Sequence, residues 1–340
     1  MLPLLPFKKT NDIRHFINFS KKKKKTLEMS KSKILVVGGT GYVGKRIVKA
    51  SLAQGHPTFV LMRREIGYEV EKLQKLLSFK KQGARLIEGS FSDHQSLVDA
   101  VKKVDVVICT MSGVQFRSHN ILLQLKLVDA IKEAGNIKRF LPSEFGIDPS
   151  RMEHGLEYGK ETFGDKMVVR KAIEDAKIPY TYISANCFGA YFVGNLSQPN
   201  TLFPPKDRVS IYGDGNCKAV FMDEDDVATY TIKTVDDPRT LNKTLYLRPN
   251  ENILTHNDLV EKWEKLTNKT LQKVYISAED FLASMKDLDH AYQAGFARIY
   301  QIFYDGCLMN FEIGEGGEEA SDLYPEVRYT RMDEYLQRYL

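Results

Sequence analysis

The sequence predicts a doubly wound α/β fold built on a parallel sheet, and three observations predict it. Short apolar runs alternate with amphipathic stretches from Lys33 to Ile183, the rhythm of strands joined by crossover helices. The first run leads into Gly38-Gly39-Thr40-Gly41-Tyr42-Val43-Gly44, glycines spaced as in a strand, a phosphate-binding turn and a helix. Beyond about Ala185 the alternation stops and a smaller mixed region follows.

Taken in order, strand Lys33 to Val37 precedes the turn. Gly38 permits the sharp bend, Gly41 lets backbone approach a pyrophosphate, and Gly44 lets the helix lie against the strand, its N-terminus favouring an anion. Thr40, Tyr42 and Val43 complete the predicted cofactor turn. Val43, Ile47, Val48 and Leu52 recur at helical spacing, the context the fingerprint requires. The G-x-x-G-x-x-G spacing is more typical of short-chain and extended reductases than of other dehydrogenases.

The second strand, from Thr58, ends at Arg63-Arg64-Glu65. A carboxylate at that place accepts from the 2′-hydroxyl of NAD, whereas an arginine pairs with the 2′-phosphate of NADP. Arg63 comes first, and with Arg64 and Lys72 it favours NADP, while Glu65 keeps NAD open. A plainer alternative is a solvated strand end.

The pattern continues as helix 69–81, strand 84–88, helix 93–102, strand 104–109, helix 118–134, strand 138–141, helix 161–176 and strand 180–183. Ligands of such sheets sit at the carboxyl ends of the strands. The loops carrying Thr110, Met111 and Ser112, then Ser143, Glu144 and Phe145, then Asn186 and Phe188, are therefore expected to line the site. Farther on, Pro204-Pro205, the turn Tyr212 to Asn216, and capping boxes starting at Thr255, Ser277 and Thr330 describe shorter elements.

The total charge of +5 misleads, because eight Lys or Arg against two acids put +6 on residues 1–28 and leave −1 on the rest. A nucleic-acid partner has no support outside that extension. Its Lys21 to Lys25 run suits a nuclear signal, a poor transit peptide, or an in-frame extension upstream of a start at Met29, the last being favoured. No apolar run approaches the roughly 18 residues of a membrane span. The cysteines Cys109, Cys187, Cys217 and Cys307 are isolated, which suggests a reducing compartment and no disulfide framework or zinc site. The histidines show no metal spacing, and no metal is expected.

Many short-chain reductases use a Tyr-x-x-x-Lys pair as acid on a late helix. The match here, Tyr68 and Lys72, lies just after the second strand, beside the adenosine end, and Tyr158 is followed four positions on by Thr162. Carbonyl reduction with a tyrosine acid is thereby disfavoured. The late helix instead carries Lys166 and Arg170 one turn apart. A lysine partly desolvated beside another cation can serve as a general base; the bland alternative is two solvated cations. Ser143 and Glu144 stand where a nicotinamide ribose or amide would be touched, or where a plain turn is capped.

From about Ser32 to Leu340 the chain resembles the plant NADPH-dependent aromatic ether reductases, a group that includes isoflavone, phenylcoumaran benzylic ether and pinoresinol-lariciresinol reductases. The resemblance rests on Gly38 to Gly44, Leu141-Pro142-Ser143-Glu144-Phe145-Gly146, Tyr212-Gly213-Asp214-Gly215-Asn216 and Tyr329 to Leu336. Thr110 to Asn120 and Leu77 to Ala84 are most similar to the lignan-reducing branch. It implies Lys166 as catalytic base, Arg170 as an NADPH contact, Arg63 and Lys72 at the adenosine phosphate, and a homodimer in the cytoplasm. A substrate pocket is implied around Gly113 to Asn120, Asn186 to Tyr191 and Tyr300, with Met111, Gly113, Val114, Phe188, Tyr191 and Arg298 facing a small-molecule lignan. Arg298 and Gln115 stand where many relatives carry histidine, which leaves substrate range and handedness open.

The expected organisation is a disordered basic extension over 1–28, a Rossmann-type NADP-binding domain over 29–185 and a substrate-binding region over 186–340. The expected reaction is reduction of pinoresinol to lariciresinol, with onward reduction to secoisolariciresinol left open. Its alternatives are phenylcoumaran or isoflavone reduction and, from another class, a non-catalytic NADP sensor.

Overall fold

The apolar runs become strands buried on both faces, which is why they read as unbroken hydrophobic stretches. In the computed structural model, which describes residues 30–113, 120–152, 155–199 and 201–340 apart from the side chains of Arg64 and Glu65, β1 (Ile34–Val37), α1 (Gly44–Ala53), β2 (Thr58–Met62), α2 (Val70–Lys81) and β3 (Arg85–Glu88) open the fold. Next come α3 (His94–Val101), β4 (Val106–Cys109), α4 (Gln124–Ala134), β5 (Arg139–Leu141), α5 (Lys160–Asp175) and β6 (Thr181–Ser184). The first five strands pair in parallel in the order β3-β2-β1-β4-β5. A bridge between Phe140 and Tyr180 carries the sheet on to β6.

Alternate residues of each strand feed two cores. Ile34, Val36, Val60, Ile108 and Leu141 pack under Ile47, Val48, Leu76 and Phe79. Leu35, Val37, Val107 and Phe140 pack under Leu127, Ile131, Val169 and Ile173. Truncating fully buried Phe140 to alanine would cost about 3–5 kcal/mol by cavity formation.

The remainder is β7 (Cys187–Phe188), α6 (Gly189–Phe192), β8 (Arg208–Tyr212), β9 (Lys218–Met222), α7 (Glu224–Lys233), β10 (Lys243–Tyr246), β11 (Ile253–Thr255) and α8 (His256–Thr267). It ends with β12 (Gln272–Ile276), α9 (Ala278–Ser284), α10 (His290–Phe303), β13 (Gly317–Glu319), α11 (Ala320–Leu323) and α12 (Met332–Leu336). β10 pairs with β6 on one side and β13 on the other, so the late chain extends the early sheet. Val227, Tyr230 and Ile232 of α7 enter the same core as α1. Residues 32–340 form one compact unit.

Two local expectations change. The helix expected from Ser118 begins at Gln124, after a single 3-10 turn at Ile121–Leu123, and Ser118 lies outside the described residues. Thr255 and Ser277 cap their helices as the boxes predicted. Thr330 does not, because its amide donates to Asp226 at 2.6 Å and the helix starts one residue later, with Arg331 as N-cap. Among the described residues no helix is long and apolar enough to cross a membrane.

Candidate active site

The glycine turn is built for close backbone packing. Gly38 has φ +80° and a side chain there would press on Thr110; at Gly44 a Cβ would lie 2.2 Å from the Gly38 carbonyl and 2.6 Å from Thr110 Oγ1. Thr110 sends its hydroxyl to the Val37 carbonyl at 2.9 Å. The first turn of α1 has no acidic residue and no side-chain cap; its Lys45 and Arg46 amides donate to the Gly41 and Val43 carbonyls, and the positive end of the helix dipole suits a phosphate.

From that turn a chain of contacts leads to the lysine. Ser143 donates from Oγ to the Met111 carbonyl at 2.6 Å, and its amide donates to Gln124 at 2.7 Å. The next residue, Glu144, has its carbonyl 2.6 Å from Lys166 Nζ. Its carboxylate takes a fork from Arg170, with Nε to Oε1 at 2.7 Å and Nη2 to Oε2. Arg170 also reaches Asp148 at 3.0 Å and stacks 4.2 Å over Tyr182. Tyr246 closes the cluster, donating to Asp148 at 2.5 Å.

Lys166 is only 9 % exposed. Burial lowers its ammonium to about 8; the Glu144 charge opposes the shift, and the cations Arg298 and Arg170 assist it. About a tenth of such lysines are neutral at pH 7. Burial alone would raise the Asp148 carboxyl, but Arg170 and Tyr246 outweigh it and hold it below the usual range. Arg170 is likewise raised, because Glu144 overrides the cost of burial.

The sequence-predicted residues divide into three groups. Lys166, Arg170, Glu144, Ser143 and Met111 come together, with Gly113 alongside, since a Cβ there would touch Ile121 and Thr162. Tyr42, Phe188 and Tyr191 form a second group, with Tyr42 5.7 Å from Tyr191 and 6.4 Å from Phe188. Arg63, just past β2, and Lys72, in the first turn of α2, share Glu69 between them. Arg170, expected at the cofactor, is held by the Glu144 and Asp148 carboxylates. Phe145 and Asn186 take left-handed backbone, φ 29° and 58°, and Asn186 is anchored to the Leu247 carbonyl at 2.6 Å. Tyr300 stacks on Tyr304 at 4.8 Å in the C-terminal core. Val114 and Gln115 lie outside the described residues.

Arg298 is pinned by two contacts. Its Nη2 donates to the Gly159 carbonyl at 2.9 Å and its guanidinium lies 4.0 Å over Phe163, while Nη1 is buried without a hydrogen-bond partner. Burial brings its pKa down to about 10. Tyr68, of the Tyr-x-x-x-Lys match, is 92 % exposed and Lys72 is engaged by Glu69, so the pair is no catalytic unit. An open cleft of about 450 Å³ on α5 is lined by Glu157, Tyr158, Lys160, Glu161, Gly164 and His290; it contains neither Lys166 nor the glycine turn. Sequence reasoning missed Asp148, Gln124 and Tyr246. Asp148 lay within a few residues of a predicted site loop, whereas nothing local marks the other two.

The family model described as "NmrA-like family" matches residues 30–336. The chain is 72% identical over 312 residues to an isoflavone reductase homolog of Lupinus albus, covering 92% of this chain and 100% of the relative. It is 64% identical to the bifunctional pinoresinol-lariciresinol reductase of Sinopodophyllum hexandrum, with the same coverage. A solved structure named "AtPrR2 with NADP+ and (+)pinoresinol" superposes with TM-score 0.89 at 62% identity, covering 91% of this chain and 99% of that one. The parallel Rossmann-type sheet is shared with solved relatives, and the chain belongs to the NmrA-like family, within its isoflavone reductase-like branch.

Proposed function

We propose that this chain is an NADPH-dependent reductase that opens the benzylic ether of a furofuran lignan, converting pinoresinol to lariciresinol. The observation that carries it is Lys166, a buried lysine brought down to about 8 beside the strand ends. The relatives named for pinoresinol and lariciresinol reduction supply the substrate class.

The residues fit the cofactor. Gly38, Gly41, Gly44 and the uncapped start of α1 would hold the pyrophosphate. Arg63 and Lys72 would hold the 2′-phosphate in place of Glu69; these exposed pairs are worth only about 0–1 kcal/mol, so the exchange is cheap. When bound, NADPH supplies the hydride that reaches the benzylic carbon. Neutral Lys166 takes the proton of the para phenol, and the phenolate electrons expel the ring oxygen, leaving a quinone methide whose benzylic carbon accepts hydride and regains its aromatic ring. The Glu144 carbonyl and the charges of Glu144 and Asp148 then steady the new ammonium until its proton returns to one of the two product oxygens, the phenolate or the expelled alkoxide, while a second proton from water neutralises the other.

In this reading residues 29–185 carry the cofactor and 186–340 cover the substrate, a division of labour rather than of folding. A homodimer in the cytoplasm follows by family analogy. The test is incubation with racemic pinoresinol and NADPH, followed by chiral chromatography, alongside a phenylcoumaran and an isoflavone. Loss of one enantiomer with lariciresinol appearing is expected, and secoisolariciresinol would mark a second reduction. NADPH binding with no lignan consumed would favour a sensor.

A further inference from the structure

Glu224 takes no part in the proton chemistry, yet it stands where three segments meet. It is 2 % exposed. Its Oε1 accepts from the Tyr42 hydroxyl and from the Ala190 amide, both at 2.9 Å, and its Oε2 accepts from the Tyr335 hydroxyl at 3.3 Å. Tyr42 belongs to the glycine turn, Ala190 to the segment carrying Phe188 and Tyr191, and Tyr335 to α12.

The surroundings fix these arms tightly. Arg46 lies 4.4 Å over the Tyr42 ring, donates to the Tyr42 carbonyl at 2.9 Å and pairs with Asp225 at 3.0 Å. A side chain at Gly189 would come within 2.4 Å of the Tyr335 ring. Burial and the Glu224 charge hold the Tyr42 phenol well above its usual range, so its hydroxyl remains a donor. The three groups on the carboxylate are all neutral donors, so what they define is a geometry rather than a charge balance.

We propose that Glu224 is a positioning residue: one carboxylate oxygen ties the glycine turn to the Cys187–Tyr191 segment and so sets the cofactor against the substrate wall. The inference rests on the reductase reading above. Misplacement by about 1 Å at such a site can cost about 10²-fold in rate.

The test compares Tyr42→Phe, Glu224→Leu, Glu224→Gln and the double variant Tyr42→Phe/Glu224→Leu in the full chain. Two readouts are taken: kcat with both ligands saturating, and the fluorescence lifetime of bound NADPH without lignan. Tyr42→Phe is expected to lower kcat about tenfold and Glu224→Leu about 10²-fold, with the double variant no worse than Glu224→Leu. Glu224→Gln keeps an acceptor for Tyr42 and Ala190 and should restore kcat to within about threefold. The NADPH lifetime should shift in Tyr42→Phe and Glu224→Leu but not in Glu224→Gln. Unchanged kcat and lifetime in folded Tyr42→Phe, or a loss in Glu224→Gln equal to that in Glu224→Leu, would overturn the proposal. If Glu224→Leu does not fold, Tyr42→Phe and Glu224→Gln decide. If the wild type consumes no lignan, the functional reading fails separately and the lifetime decides the positioning role.

Discussion

Two buried carboxylate clusters flank the site, and they are satisfied by opposite means. Glu144 and Asp148 face the guanidinium of Arg170, whereas Glu224 and Asp226 are met by hydroxyls and amides. Beside Lys166 the charges are compensated by charge, which fixes the electrostatic setting of the proposed base. Beside the glycine turn they are compensated by neutral donors, which fixes distances and leaves Asp226 open to pH. Burial raises the Asp226 carboxyl to about 6 despite the Thr330 amide, with Asp223 adding to the shift.

The strongest challenge to this contrast is removal of the base. Lys166→Met should lower kcat by about 10²–10⁴-fold while NADP⁺ affinity, measured by titration, holds. Its melting temperature should not fall, because a buried ammonium with a depressed pKa is a cost to the fold; a drop of several degrees would make the lysine structural. Next in size, Glu144→Gln leaves Arg170 partly unpaired in the interior and should cost about 3–5 kcal/mol in urea unfolding. A cost under 1 kcal/mol would erase the distinction between the two clusters.

The pH profile follows from the sign of the lysine shift. A general base works when neutral, so with Lys166 as the proposed base kcat/KM should fall about tenfold per pH unit below about 8 and level off above it. A flat profile from pH 6 to 9 would remove Lys166 from the rate equation. For Asp226 the sign is reversed in its consequence. The folded carboxyl binds its proton more tightly than the unfolded one, so the native state loses stability as pH rises from about 4 to 6. Asp226→Asn, which keeps an acceptor for Thr330, should gain on the order of 1–3 kcal/mol at pH 7 and nothing below pH 4. The smallest effect tests a real cap: Thr255→Ala should cost about 1 kcal/mol in thermal unfolding, because Thr255 holds the Asp258 amide at the start of α8.

The strand and helix order was legible because it is written locally. Fully buried parallel strands show as apolar runs, and the glycines of the turn are demanded by backbone contacts within the same motif and with Thr110. The proposed base was legible only as Lys166 beside Arg170 on one helix face, whereas its burial and its hydrogen bond to the Glu144 carbonyl come from packing against another loop. Tyr246 and Glu224 were not legible at all. Their partners lie 98 and 182 residues away, and no local period marks such a contact. Thr330 misled because a capping signature cannot reveal that a distant carboxylate will claim its amide.

The placement of β10 beside β6 has a consequence for handling the protein in pieces. A fragment ending at Ala185 would present Thr181–Ser184 with its ladder groups unpaired, a ready template for strands of neighbouring molecules. Such a fragment should form aggregates when expressed, and a split of the chain would succeed only where both halves are made together and the late strand can close the edge.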